Sequence, residues 1–265
     1  MQLGVITGSG TYALPGFAGS EPEPVTTPWG AALVSRGSFG GVAVAHVSRH
    51  GAGHARLSNH VTHRANIAAL KQLGVDGVLA VTVCGAVDPS LELGSLICFD
   101  DLHFPVNRLP DGALCTFFAE PGDPAPGHWI YESPFAPGLR AALLTAAERC
   151  GLPMRDGGCY GHVDGPRFNT RAEIRGLAAA GVTAVSQTAG PETVLAGEAE
   201  LPFALVGYAT DYANGVRAEA TPVERLLELI AASTESFANV LTAALPAIDK
   251  AELPATGVVY RFHDE

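Results

Sequence analysis

Short apolar runs that each stop at a cluster of small polar residues constrain this chain more than any other feature. Leu3-Gly-Val-Ile6 stops at Thr7-Gly-Ser-Gly-Thr11, and Val42-Ala-Val-Ala-His-Val47 stops at Ser48-Arg49-His50-Gly51. Val78-Leu-Ala-Val81 gives way to Thr82-Val-Cys-Gly-Ala86, and Val182-Thr-Ala-Val185 to Ser186-Gln187-Thr188. Phe203-Ala-Leu-Val-Gly-Tyr-Ala209 ends at Thr210-Asp211-Tyr212. Runs this short and this apolar read as buried strands. Helical patterns lie between them, over 64–73, 138–149, 192–199 and 222–245, so the chain is expected to be an α/β protein. Such proteins bind ligands outside the C-terminal ends of their strands, where these polar clusters fall.

Each cluster alone leaves alternatives open. Thr7–Thr11 has the small residues that let backbone N–H groups approach an anion. It lacks the third glycine of a dinucleotide loop and the Gly-Lys-Ser/Thr of a Walker loop, and a plain turn is the simpler reading of it in isolation. Arg49 and His50 form a reasonable phosphate pair, a planar fork of donors beside an imidazole, or else a surface arginine beside a solvated histidine. His50, His54, His60 and His63 raise the question of a metal, but their spacing matches no zinc pattern and none is expected. Cys84 lacks the surroundings of a catalytic thiol and reads as a buried structural cysteine. The proline-rich stretch 100–138 carries His103, His128, Trp129 and Tyr131 and serves either as a ligand cover or as an oligomer contact. Thr221 before Pro222 reads as the N-cap of the last helix.

Composition removes several classes of function. With 265 residues, 47% hydrophobic and 16% charged, one large domain is expected, over residues 1–250, followed by a partly mobile tail over 251–265. No apolar run reaches the roughly 18 residues of a membrane span. The strand-like start at Leu3 carries no basic or cleavage-type segment, so no leader is expected. A formal charge of -11 argues against broad nucleic-acid binding while leaving room for a small anion in a local pocket. The five cysteines contain no Cys-x-x-Cys pair and suit free thiols in a reducing cytoplasm.

Taken together and in order, these motifs resemble the trimeric purine nucleoside phosphorylase family, and within it the methylthioadenosine phosphorylase branch. The matching pieces are Thr7-Gly-Ser-Gly10, Arg49-His50-Gly51, Arg64-Ala-Asn66, Thr82-Val-Cys-Gly85, Gly165-Pro-Arg-Phe-x-x-Arg-Ala-Glu173, Thr188-x-x-Pro-Glu192 and Ala209-Thr-Asp-Tyr212. They span roughly residues 3–245. The resemblance implies a single-domain nucleoside phosphorylase fold, a central mixed twisted sheet flanked by helices. It implies reversible phosphorolysis, in which phosphate attacks C1′ of a nucleoside and releases the base and a ribose 1-phosphate. Inorganic phosphate is then the co-substrate, with no cofactor and no metal, and a homotrimer is the expected assembly. Carried over residue by residue, the phosphate site falls on Ser9, Arg49, His50, Thr82, Val83 (through its backbone N–H) and Thr188. Phe168, Asp211 and Ala213 face the base, Gln187 and Thr188 the ribose, and His128 the 5′ substituent, with Asp211 and His50 as the catalytic pair.

The sequence also departs from the family pattern. Retention of Asp211 favours a 6-aminopurine, because a carboxylate accepts from a 6-amino group and repels a 6-oxo oxygen. Ala213 replaces the second acid usual in that branch, which keeps a 6-oxopurine nucleoside as the alternative. Ser186-Gln187 stands where Asn-Met is usual, and Asp101-Leu-His-Phe-Pro105 replaces an acidic-threonine segment. These changes imply a remodelled 5′ pocket and an altered sugar preference. A water-dependent nucleosidase and a non-catalytic nucleoside-binding homologue complete the readings.

Overall fold

The computed structural model describes residues 1–12, 14–118, 126–248 and 253–261. The apolar runs form the middle of one large mixed sheet. Strands β1 (Gln2–Thr7), β2 (Ala18–Gly19), β3 (Glu23–Thr27), β4 (Gly30–Phe39) and β5 (Val42–Ser48) come first. Helix α1 (His63–Gln72) leads into β6 (Gly77–Ala86), β7 (Leu96–Cys98), β8 (Asp101–His103) and β9 (Gly127–Ile130). Helix α2 (Pro137–Arg149), β10 (Met154–Asp156), β11 (Cys159–His162), α3 (Arg171–Ala179), β12 (Val182–Ser186), α4 (Ala189–Glu198), β13 (Phe203–Tyr212), α5 (Val223–Ala244) and β14 (Val258–Arg261) follow.

The sheet runs β10-β7-β13-β6-β1-β5-β4-β2, with β12, β11 and β8 branching from β6. The branch explains where a cavity opens. The first half of β6 lies parallel to β1, from Leu3↔Gly77 to Ile6↔Ala80. Its far end instead pairs antiparallel with β12, through Ala184↔Ala86 and Val185↔Gly85. The chain tips after β1 and β5 therefore end at a gap that β12 closes from the other side. The gap lies beyond the carboxyl ends of parallel strands. Strand β13 follows β6 throughout, with a register shift between Ala209 and Asp211. A bulge re-aims the side chains that follow it, and Asp211 follows this one.

Most sequence expectations for the elements hold. The hairpin turns at Gly40 and Gly41, whose φ values of 58° and 80° suit glycine, and Gly74 ends α1 at φ 71°. Other boundaries move. The strand expected at 78–81 continues to Ala86 because β13 and β12 supply partners beyond the apolar run. Helix α4 starts at Ala189 rather than residue 192. Thr221 does not cap α5: the cap position is Pro222, with no side-chain cap bond. The Thr221 hydroxyl accepts a hydrogen bond from the Tyr212 N–H at 3.1 Å instead, and so ties the end of β13.

The expected tail carries β14, which pairs antiparallel with β9 from Val258↔Ile130 to Arg261↔Gly127. Trp129 of β9 donates its indole N–H to the Thr256 carbonyl at 2.7 Å. Residues 119–125 of the proline-rich stretch, and 251–252 and 262–265 of the tail, lie outside the described residues. No helix of the described residues is long and apolar enough to cross a membrane.

Candidate active site

A cavity of about 280 Å³ occupies the gap beside β6, near the lower end of the ~300–1,000 Å³ typical of small-molecule sites. One end is walled by hydroxyls. Ser9 follows β1, Thr82 sits on β6, and Ser186 and Thr188 frame the turn from β12 to α4; all line the cavity with Val83. Thr82 and Ser186 touch through their hydroxyls at 3.2 Å. Thr188 occupies the N-cap position of α4 but makes no side-chain cap bond, so its hydroxyl is not committed to the helix. Hydroxyls at a helix N-terminus suit an anion.

His50 completes this end. Its Nδ1 lies 2.8 Å from the Arg56 carbonyl, and a carbonyl accepts only, so Nδ1 carries the proton. Burial, reinforced by the neighbouring Arg49 charge, lowers its pKa to about 4, and the ring is neutral at neutral pH with Nε2 as an acceptor. His54 stacks on it at 4.2 Å and accepts or donates at 2.9 Å to the Tyr12 hydroxyl. His54 also lines the cavity, while His63 is buried elsewhere beside Glu192. No group of three His, Cys, Asp or Glu among the described residues is placed to hold a metal.

Arg49 is not on the cavity wall. Its guanidinium lies fully buried under the Gly8 turn, where any Cβ on Gly8 would collide with Nη1. It grips Glu192 through two parallel bonds of 2.6 and 2.8 Å and donates to the Val81 carbonyl at 2.8 Å. A buried guanidinium needs its charge matched, and Glu192, in the first turn of α4, matches it. The pair ties the β5 tip to α4.

The opposite end belongs to the β13 tip and the loop before α3. Burial raises the pKa of Asp211, and the hydrogen bond from the Thr210 hydroxyl at 2.9 Å opposes that shift. Ala213 lines the same end with Gly85 and Asn214. Phe168 projects at the mouth. A capping box orders the helix beyond it: the Thr170 hydroxyl accepts from the Glu173 N–H and the Glu173 carboxylate from the Thr170 N–H. Cys84 is buried at the wall and donates its thiol to the Tyr208 carbonyl at 3.5 Å, and burial pushes that thiol up, which suits a structural role.

Two of the sequence-derived positions behave differently from expectation. Gln187 lines the cavity, but its amide already bonds protein groups on both sides. His128 lies on β9 beside a separate cavity bordered by Leu102, Trp129, Tyr131 and Glu198, so within one chain it does not reach the site of Asp211. Sequence reasoning also missed Leu226 and Ile230 of α5, which give the cavity an apolar wall, and Leu57 and Ser58. The amphipathic pattern of α5 marked an apolar face without saying that part of it borders a hollow.

Comparisons with known proteins bear on the fold and the family. The sequence model described as the Phosphorylase superfamily matches residues 2–246. The 6-oxopurine nucleoside phosphorylase of Pyrococcus furiosus is 34% identical over 256 residues, covering 94% of each chain. The S-methyl-5′-thioadenosine phosphorylase of Mycobacterium tuberculosis is 41% identical over 222 residues, covering 82% of this chain and 78% of that protein. The solved structure of methylthioadenosine phosphorylase from Schistosoma mansoni in complex with adenine matches with a TM-score of 0.85 at 28% identity, covering 94% of this chain and 91% of that one. With a match that spans nearly all of its length and relatives this similar, the chain belongs to the phosphorylase superfamily.

Proposed function

We propose that this protein catalyses reversible phosphorolysis of a purine nucleoside, 5′-methylthioadenosine or a related 5′-modified 5′-deoxyadenosine, to the free base and a ribose 1-phosphate derivative. One observation carries the reading: Asp211, a carboxyl group whose pKa burial raises, faces the same cavity as the hydroxyls of Ser9, Thr82 and Thr188. The hydroxyls donate to phosphate as co-substrate, the neutral His50 accepts from a phosphate O–H at Nε2, and no cofactor or metal is required. Phosphate is then positioned to attack C1′ while the sugar takes on oxocarbenium character. Asp211 donates toward N7, so the purine leaves as a neutral base. Holding both substrates side by side removes the entropy cost of their encounter. Leu226 and Ile230 offer an apolar wall that suits a 5′ substituent without a hydroxyl.

A 6-oxopurine nucleoside is the second reading. Ala213 places no second acid at the base end, and the Pyrococcus furiosus relative is named for 6-oxopurines.

The assembly we propose is a homotrimer. Ile130 of β9 is 57% exposed and Val258 of β14 67%, an apolar ribbon that would be covered by a neighbouring copy. His128 lies on that ribbon, so its part in a 5′ pocket would be played in the neighbour's site. The free cysteines suit a cytoplasmic setting.

The test is base release from methylthioadenosine, 5′-deoxyadenosine, inosine and guanosine, with and without phosphate. Release only with phosphate, faster for the 6-aminopurines, is expected. Release in water alone would replace the reading by a nucleosidase, and no release at all by a binding homologue.

A further inference from the structure

Gln187 sits between Ser186 and Thr188, whose hydroxyls serve the phosphate end of the cavity, yet its own amide makes other bonds. Its Oε1 accepts a hydrogen bond from the Ser58 hydroxyl at 2.9 Å. Its Nε2 donates to the Arg167 carbonyl at 3.0 Å. Gly165 presses against this pair: a Cβ there would collide with both Gln187 Oε1 and Ser58 Oγ. One amide thus joins the 57–58 turn, the 165–168 loop and the turn that leads into α4. All these segments contribute to the cavity wall through Leu57, Ser58, Pro166, Phe168 and Gln187 itself.

The link matters because the Phe168 loop is held by side-chain ties rather than by packing, among them Arg167 Nη1 to the Phe168 carbonyl at 3.2 Å. The residue is 61% exposed, so no core fixes its ring, and its position depends on how the loop backbone is tied. Arg167, whose carbonyl Gln187 holds, is the residue just before it. On the far side, the Asn169 carbonyl accepts from the Asn214 amide at 2.7 Å. The tie at Gln187 differs in kind, because it runs to the opposite wall.

Only a side chain with a donor and an acceptor on one planar group can bridge a carbonyl and a hydroxyl in this way. A methionine offers neither. A glutamate would aim an oxygen lone pair at the Arg167 carbonyl.

We propose that Gln187 is a positioning residue for nucleoside recognition: it holds the Phe168 loop and the Leu57–Ser58 turn at the spacing that clamps a nucleoside. The inference rests on the nucleoside reading above, and it assigns Gln187 to the walls that grip base and sugar rather than to phosphate. A residue that only stabilised the fold would affect both ligands alike. This one weakens nucleoside and free base and leaves phosphate alone.

The experiment compares Gln187→Met, Ser58→Ala and the double variant in the full chain. Calorimetric titrations with adenine alone and with phosphate alone accompany steady-state kinetics. For Gln187→Met the expected result is adenine affinity about tenfold weaker and a nucleoside KM about tenfold higher, with kcat within threefold and phosphate affinity within twofold. Ser58→Ala loses about threefold for adenine. The double variant is no worse than Gln187→Met, since Ser58 has by then lost its partner.

Adenine affinity unchanged in Gln187→Met, equal losses for adenine and phosphate, or additive effects in the double variant would each overturn the proposal. If Gln187→Met does not fold, Ser58→Ala carries the test: a loss for adenine without a loss for phosphate supports the tie, and no loss refutes it. Should the wild type release no base with phosphate while Gln187→Met still weakens adenine, the tie stands and the phosphorolysis reading falls.

Discussion

Thr188 and Phe168 line the same cavity, but Thr188 is 3% exposed and Phe168 61%. The hydroxyl end is made of strand tips and a helix start, and its geometry follows from the sheet: Thr82 sits within the β6–β13 ladder and Thr188 at the α4 cap. Beneath it lies the closed ion pair of Arg49 and Glu192. The base end is a loop whose position is set by side-chain ties, from Gln187, Asn214 and Glu173. Damage at the first end should reach stability and chemistry together. Damage to the loop at the second should reach affinity, with the fold intact, while damage to Asp211 on the β13 tip beside it should reach chemistry.

The largest expected effect is at the buried pair. Glu192→Gln leaves the Arg49 guanidinium buried without its counter-charge, which costs about 3–5 kcal/mol of folding free energy. Chemical denaturation measures it, and a loss under 1 kcal/mol would break the contrast between the two ends. Next comes Asp211→Ala, expected to lower kcat for adenine release roughly a hundredfold by removing the proton donor. Phosphate affinity should stay within about threefold, and equal losses would refute the assigned role.

A smaller effect is read from pH. The His50 pKa is lowered to about 4 from an unfolded value of 6.5, so the unfolded chain binds the proton first. Its share of stability is complete above pH 6.5 and is lost as pH falls toward about 4, by up to ~1.4 kcal/mol per pH unit. His50→Gln, which can still donate to the Arg56 carbonyl, should flatten the fall in Tm over that window by this one histidine's share; an unchanged slope would show that His50 is not held neutral. The smallest effect is Phe168→Ala, a loss of about fivefold in nucleoside affinity from missing base stacking, with Tm unchanged. A matching fall in Tm would mean that the loop is part of the core after all.

The same contrast decides what could be read from the sequence. The strand tips were legible because a short buried apolar run is a local signal, and Ser9, His50, Thr82 and Thr188 each come just after such a run. The partner of Arg49 was not legible, since Glu192 lies 143 residues away and nothing local marks the pairing. Arg49 was read as a phosphate ligand, and the bonds it makes beside the Gly8 turn go to Glu192 and the Val81 carbonyl. Gln187 was legible as a departure but not as a tie, because its partners, Ser58 and a backbone carbonyl, are set by tertiary packing alone. Thr221 misled because a hydroxyl before Pro222 suits a cap, and the competing N–H of Tyr212 comes from another element. The strand in the tail was not legible for a similar reason: Val258–Arg261 pairs with an edge that β9 offers.

That late pairing has a consequence for synthesis. At ~5–20 residues per second, β14 leaves the ribosome on the order of ten seconds after β9. Every strand of the main sheet has been made before then. For that interval Trp129 has no acceptor at Thr256, and the edge of β9 is open. A nascent chain at this stage would carry a nearly finished sheet and a β9 edge without its partner strand, an opening through which it could pair with another nascent copy.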